Sequence, residues 1–160
     1  MENQSTLYGC VVHSAMGPVS IISNGRAIVG TSFGDLPEGV QNQELGVLAQ
    51  ACKQMKEYLS GTRKQFELPL EMNGTPFQKR VWNALLEIPY GKTCSYKQIA
   101  IKVGNSKATR AVGMANNRNP IGIIVPCHRV IGANGTLVGY AGGLSFKKFL
   151  LELESSHADD

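Results

Sequence analysis

A thiol and an imidazole stand side by side at Cys127 and His128, closing the stretch Asn119-Pro120-Ile121-Gly122-Ile123-Ile124-Val125-Pro126-Cys127-His128-Arg129. A thiol is a weak nucleophile while protonated, and a nearby imidazole is the usual means of raising its thiolate fraction. Adjacent side chains on a strand point to opposite faces, so these two groups share a proton only if the chain turns there or a water bridges them; bridging is the preferred expectation. The β-branched run Ile121 to Val125 predicts a buried strand or extended segment ending at Cys127. Pro126 lacks an N–H and keeps Val125 extended, which fixes the direction from which the chain enters Cys127.

Charge suggests what such a nucleophile would meet. Residues 1 to 72 carry five basic and seven acidic side chains, and residues 73 to 160 carry eleven basic and five acidic. Between Lys92 and Arg129 there are seven Lys or Arg and neither Asp nor Glu. Such an asymmetry favours a polyanionic partner over a small neutral substrate. The 160 residues, 42% of them hydrophobic, suffice for one domain or two small lobes. No apolar run is long enough to span a membrane, and Met1-Glu2-Asn3-Gln4 resembles no secretory leader, so a cytoplasmic protein is expected. Cys10, Cys52, Cys94 and Cys127 are scattered without a Cys-x-x-Cys pair, which argues for reduced thiols and against a zinc knuckle. Cys10 and His13 would face opposite sides of a strand, so no metal site is expected there.

The elements that must position the thiol can be read in order. Residues 7–13, 18–23 and 26–33 predict three strands, the last two joined by a two-residue Asn24-Gly25 turn. Residues 34–42 read as a loop. Leu45, Leu48, Cys52, Met55 and Leu59 form one apolar stripe and predict a helix over 43–59, stopped by Gly61. Residues 65–71 alternate like an edge strand containing Pro69, and the lobe boundary falls near Asn73-Gly74.

Thr75-Pro76 is an N-cap and first-turn proline, and Phe77, Val81, Trp82, Leu85 and Leu86 continue the helical period to Ile88, with Trp82 as core. Ser95 caps a helix over 96–103, and Ser106 a second over 107–116. Two short helices about a Gly104-Asn105 turn predict a helix-turn-helix. Its second helix has a small-residue packing face, Ala108, Ala111, Val112 and Ala115, with Lys107, Arg110 and Asn117 outward. The glycines of 132–143 suit close approach to a flat ligand. Ser145 caps a last helix whose Phe146, Phe149, Leu150 and Leu153 face the core, followed by a loose tail from Ser155. The fold class is therefore α/β (α+β): an N-terminal antiparallel sheet with a helix, residues 1–72, packed on a mostly helical lobe, residues 73–160.

Pro126-Cys127-His128-Arg129-Val130, preceded by Asn119-Pro120, resembles the active-site signature of the O6-alkylguanine-DNA alkyltransferases, and the similarity runs from about Thr75 to Glu154. It implies a ribonuclease-H-like first lobe and a second lobe that binds double-stranded DNA in the minor groove. It further implies irreversible transfer of an alkyl group from O6 of guanine, and by extension O4 of thymine, to Cys127. By the same resemblance Glu154 orients His128, Tyr96 helps rotate the nucleotide out and bonds the guanine, Arg110 fills the vacated stack, and Asn119 links the reading helix to the active-site turn. Lys107, Ala111, Ser95 and Lys97 join Arg110 on the expected DNA face. Tyr96, Val125, Val130, Tyr140 and Ala141 are the expected pocket. Neither cofactor nor metal is implied by these residues, although some family members carry a structural zinc in the first lobe, and a monomer is expected. Gly122 stands where some members carry a second proline.

Two other readings compete. A cysteine hydrolase would turn over through an acyl-thioester, but would need an oxyanion hole and normally a His distant in sequence. A helix-turn-helix regulator or damage sensor would bind DNA without needing a thiol.

Overall fold

β-branched and alternating segments build the first sheet. In the computed structural model, which describes residues 6–159, β1 (Tyr8–Ser14), β2 (Gly17–Ser23) and β3 (Ile28–Phe33) form an antiparallel meander. Cys10 and Val12 are buried on β1 while His13 is exposed. The β2–β3 connection is longer than a two-residue turn. Asn24 Oδ1 accepts from the N–H groups of Arg26 and Ala27, so the asparagine side chain organises a four-residue loop. Within the segment expected to be a loop, β4 (Gln41–Asn42) pairs parallel to β1, giving the order β3-β2-β1-β4. Two residues are too few to show an alternation.

Helix α1 (Val47–Leu59) starts four residues later than its apolar stripe suggests. Gly46 precedes it at φ 57°, and Leu45 is left 65% exposed. Its end is a Schellman motif, with Gly61 N–H on Tyr58 O and Thr62 N–H on Glu57 O. Residues 65–71 run along β3 without forming a regular strand. They make one bridge, Ile28 with Leu70, with Ile28 N–H on Pro69 O and Glu71 N–H on Ile28 O.

Cys10 and Cys52 are joined by a disulfide between β1 and α1, which corrects the expectation that all four thiols are reduced. Their separation of 42 residues hid the pairing, because only the packing of the helix on the sheet brings the two buried sulfurs together. Glu44 lies beside them, but sulfurs engaged in the bond do not offer a metal two thiolates.

The chain divides after Met72, and Asn73 opens a second unit. Helix α2 (Pro76–Leu86) begins with a capping box between Thr75 and Gln78. Trp82, fully in the core, donates Nε1–H to Ala115 O and so ties α2 to α4, whereas Leu86 stays exposed. A second capping box, Ser95 with Gln98, starts α3 (Tyr96–Lys102). Helix α4 (Thr109–Asn117) begins three residues beyond Ser106, because Asn105 Oδ1 accepts from Lys107 N–H and holds a turn there first. Two short strands, β5 (Cys94–Ser95) and β6 (Val130–Ile131), pair in parallel and set the start of α3 beside the turn that follows Cys127. Helix α5 (Leu144–His157) follows Gly143, with Ser145 inside it, and continues to His157, into the expected loose tail. Met1 to Gln4, read for a leader, and the final Asp160 lie outside the described residues.

Candidate active site

Cys127 follows a folded loop, not the end of a strand. Ile121 to Val125 are all buried, yet Val125 N–H bonds back to Ile121 O, and Ile123 takes a left-handed φ of 72°. A β-branched residue disfavours that conformation, so surrounding contacts must hold it. Asn119 supplies two of them. Its Oδ1 accepts from Ile121 N–H at 3.0 Å and its Nδ2 donates to Val125 O at 2.8 Å, lacing the loop just before Pro126.

The chain then turns through a 3₁₀ segment, Cys127–Arg129. This turn, absent from the strand expectation, frees Cys127 and His128 from opposite-face geometry. Cys127 is 6% exposed, and its carbonyl accepts from Asn116 Nδ2 of α4 at 3.3 Å.

His128 and Glu154 are both buried, with Nε2 and Oε2 2.7 Å apart. Burial pushes Glu154 upward, but the hydrogen bonds and charges of His128 and Arg129 outweigh it and hold the carboxyl at about 2. Burial lowers His128 despite the neighbouring carboxylate. A neutral imidazole beside an ionised carboxylate must donate through Nε2–H, which leaves Nδ1 as its basic nitrogen.

Arg129 grips the same carboxylate, Nε on Oε1 at 2.8 Å and Nη2 on Oε2 at 2.9 Å, while Nη1 donates to Ile88 O at 2.7 Å. A bidentate guanidinium fixes the plane of Glu154 and hence of the imidazole. The sequence reading gave Arg129 no role, although its place beside His128 was a signal. Lys147 was missed as well. It is wholly buried and donates to Val130 O at 2.7 Å and Val138 O at 2.9 Å. Its spacing from Leu150 and Glu154 on one helical face was the available clue.

Burial pushes the Cys127 thiol above its ordinary value, while hydrogen bonding from Asn119 and the charge of Lys147 pull it down. Tyr96 and Tyr140 are also raised, mainly by burial and then by Cys127. Tyr96 donates its hydroxyl to Val138 O at 3.3 Å. Val125 and Val130 are fully buried and bring carbonyls, not open side chains, to this region; Tyr140 is half-buried and Ala141 exposed. Ser95 is committed to its capping box. Lys97, Lys107, Arg110 and Ala111 are exposed, and among the described residues Arg110 and Lys107 have no carboxylate partner. Asn117, expected outward, is exposed, but its side chain also lies against Gly139.

The family model for the 6-O-methylguanine DNA methyltransferase DNA-binding domain matches residues 76–156, and that for its ribonuclease-like domain matches residues 6–72. The chain is 48% identical over 157 residues to a methylated-DNA–protein-cysteine methyltransferase of Methanosarcina acetivorans, covering 94% of this chain and 99% of the relative. A constitutive one of Bacillus subtilis is 55% identical over 124 residues, 75% of each chain. Among solved structures, the O6-methylguanine methyltransferase of Mycobacterium tuberculosis superposes with a TM-score of 0.87 at 42% identity and 96% coverage of both chains. A complex of the M. tuberculosis protein with DNA also gives 0.87, at 43% identity and 94% coverage of both. With both halves matched in order and the fold shared, this chain belongs to the 6-O-methylguanine DNA methyltransferase family.

Proposed function

We propose that this protein repairs alkylated DNA by direct reversal, taking an alkyl group from O6 of guanine in a duplex onto Cys127 and keeping it. The observation that carries this reading is the buried His128–Glu154 bond beginning one residue after a nearly buried thiol. The lesion is hidden in the stack, so the nucleotide must first rotate out, at a cost of roughly a few kcal/mol. Phosphate contacts from Lys97 and Lys107 offset that cost, and Arg110 on α4 enters the gap. Tyr96 exchanges its bond to Val138 O for one to the guanine.

In the chemical step the Cys127 proton passes through a water to His128 Nδ1, and the thiolate displaces the guanine at the alkyl carbon. One S–C bond forms and one C–O6 bond breaks; the guanine takes up a proton on the ring, helped by Tyr96, so the net transfer moves the thiol proton to the base. A thioether has no easily hydrolysed bond, so each molecule acts once. The same displacement serves O4-alkylthymine. The site needs neither metal nor cofactor for this chemistry, and we place the protein in the cytoplasm as a monomer on DNA.

The test is intact mass and peptide mapping after incubation with a duplex carrying O6-methylguanine. One added methyl on Cys127, stable on standing, is expected. A methyl on another residue, catalytic turnover, or binding without mass change would each reject the reading, the last in favour of a damage sensor.

A further inference from the structure

We infer that Lys147 is a positioning residue for the reaction, its buried ammonium serving as the fixed counter-charge of the Cys127 thiolate. A charged amine removed from water requires a compensating anion or a full set of acceptors. Lys147 is fully buried, its Nζ reaches the carbonyls of Val130 and Val138, and among the described residues no carboxylate pairs with it. Two carbonyls satisfy two of its three donors. Val130 follows Cys127 by three residues across the 3₁₀ turn, so the bond that anchors Lys147 ties it to the end of the turn that carries Cys127.

The groups facing Cys127 from each packed element make this assignment specific. From α3 comes Tyr96 and from the loop before α5 comes Tyr140, both electrically neutral while protonated. From its own turn come His128 and Arg129, and the charge of Arg129 is spent on Glu154. His128, neutral in the folded site, can take a proton but offers no standing positive charge. Lys147 is then the cation left for the sulfur, and the attraction is mutual: burial lowers the amine and raises the thiol, and each group opposes the shift that burial imposes on the other. In this arrangement His128 moves the proton while Lys147 holds the charge that remains.

The inference rests on Cys127 being the alkyl acceptor, but its test uses no DNA, so the two can fail separately. The rate of Cys127 carbamidomethylation by iodoacetamide, read on its own peptide, is followed against pH. Lys147→Met removes the charge, and Lys147→Gln removes the charge while keeping a donor for the carbonyls. Both are expected to move the Cys127 midpoint up by about one pH unit or more, slowing reaction about tenfold below the midpoint. Wild-type midpoints in a folded Lys147→Gln protein would overturn the proposal and leave Lys147 as a carbonyl clamp. Should neither variant fold, the reciprocal measurement decides: the Lys147 side-chain titration followed by NMR in wild type and Cys127→Ser. A lower Lys147 midpoint in Cys127→Ser is expected; an unchanged one overturns the pairing.

Discussion

Lys147 and Glu154 lie seven residues apart on the buried face of α5 and reach opposite ends of one turn, Lys147 to the carbonyl of Val130 and Glu154 to the side chains of His128 and Arg129. One helix thus brings one charge to each end of the turn that carries Cys127, and the two are kept apart by two turns of helix instead of cancelling. Glu154→Gln isolates the acidic end. It leaves the Arg129 guanidinium buried without its carboxylate, which typically costs about 3–5 kcal/mol, and removes the group that orients the imidazole. Urea unfolding should show a loss of that size together with slower alkyl transfer. A loss below about 1 kcal/mol would mean the pair is solvated in solution.

Acid should destabilise the protein in two stages. His128 is lowered in the folded state, so its contribution is complete above the ordinary histidine value of 6.5 and is lost as pH falls below it. Glu154 is held at about 2 against an ordinary value of 4.5, so its contribution is complete above 4.5 and is lost as pH falls towards 2. The unfolded chain binds more protons in both windows, and the two effects have the same sign. The carboxyl alone corresponds to on the order of 3 kcal/mol. Urea midpoints measured from neutral pH downward should fall first gently and then steeply; a midpoint level through both windows contradicts the buried network.

Much of this site was legible because its parts are local. Capping boxes at Thr75 and Ser95 announce their helices within four residues, and Cys127-His128 sets a thiol beside an imidazole in two. What escaped depends on distant partners. The Cys10–Cys52 bond, the parallel pairing of Cys94 with Val130, and the burial of Lys147 arise only when remote segments meet. The loop at Ile121–Val125 misled for another reason: its β-branched composition favours a strand, and the laced asparagine and Ile123 override that preference. Here local propensity yields to the bent backbone that leads into Cys127.

Asn119 is where that override can be broken. Asn119→Ala leaves Ile121 N–H and Val125 O without their partner, at about 1–3 kcal/mol for each buried group. It also removes a hydrogen bond that favours the thiolate. The variant should be less stable and its Cys127 should react with iodoacetamide at higher pH. Lower stability with an unshifted thiol would confine Asn119 to holding the loop.

Arg110 separates extrusion of the base from the displacement step. It stands exposed on α4 and takes no part in the hydrogen bonds that join Cys127, His128, Arg129 and Glu154 to their partners, so shortening it should leave the thiol and imidazole unchanged. If it fills the vacated stack, Arg110→Ala must restore part of the few kcal/mol that rotating the nucleotide costs. Repair of a methylated duplex should then slow by about tenfold or more, while reaction with a free O6-benzylguanine base, which needs no extrusion, stays near the wild-type rate. Raising salt should weaken duplex binding by both proteins if Lys97 and Lys107 contact phosphate as proposed, since the substitution leaves both in place. Equal slowing on duplex and free base would place Arg110 in the pocket's own structure, and an unchanged duplex rate would remove it from the DNA face altogether.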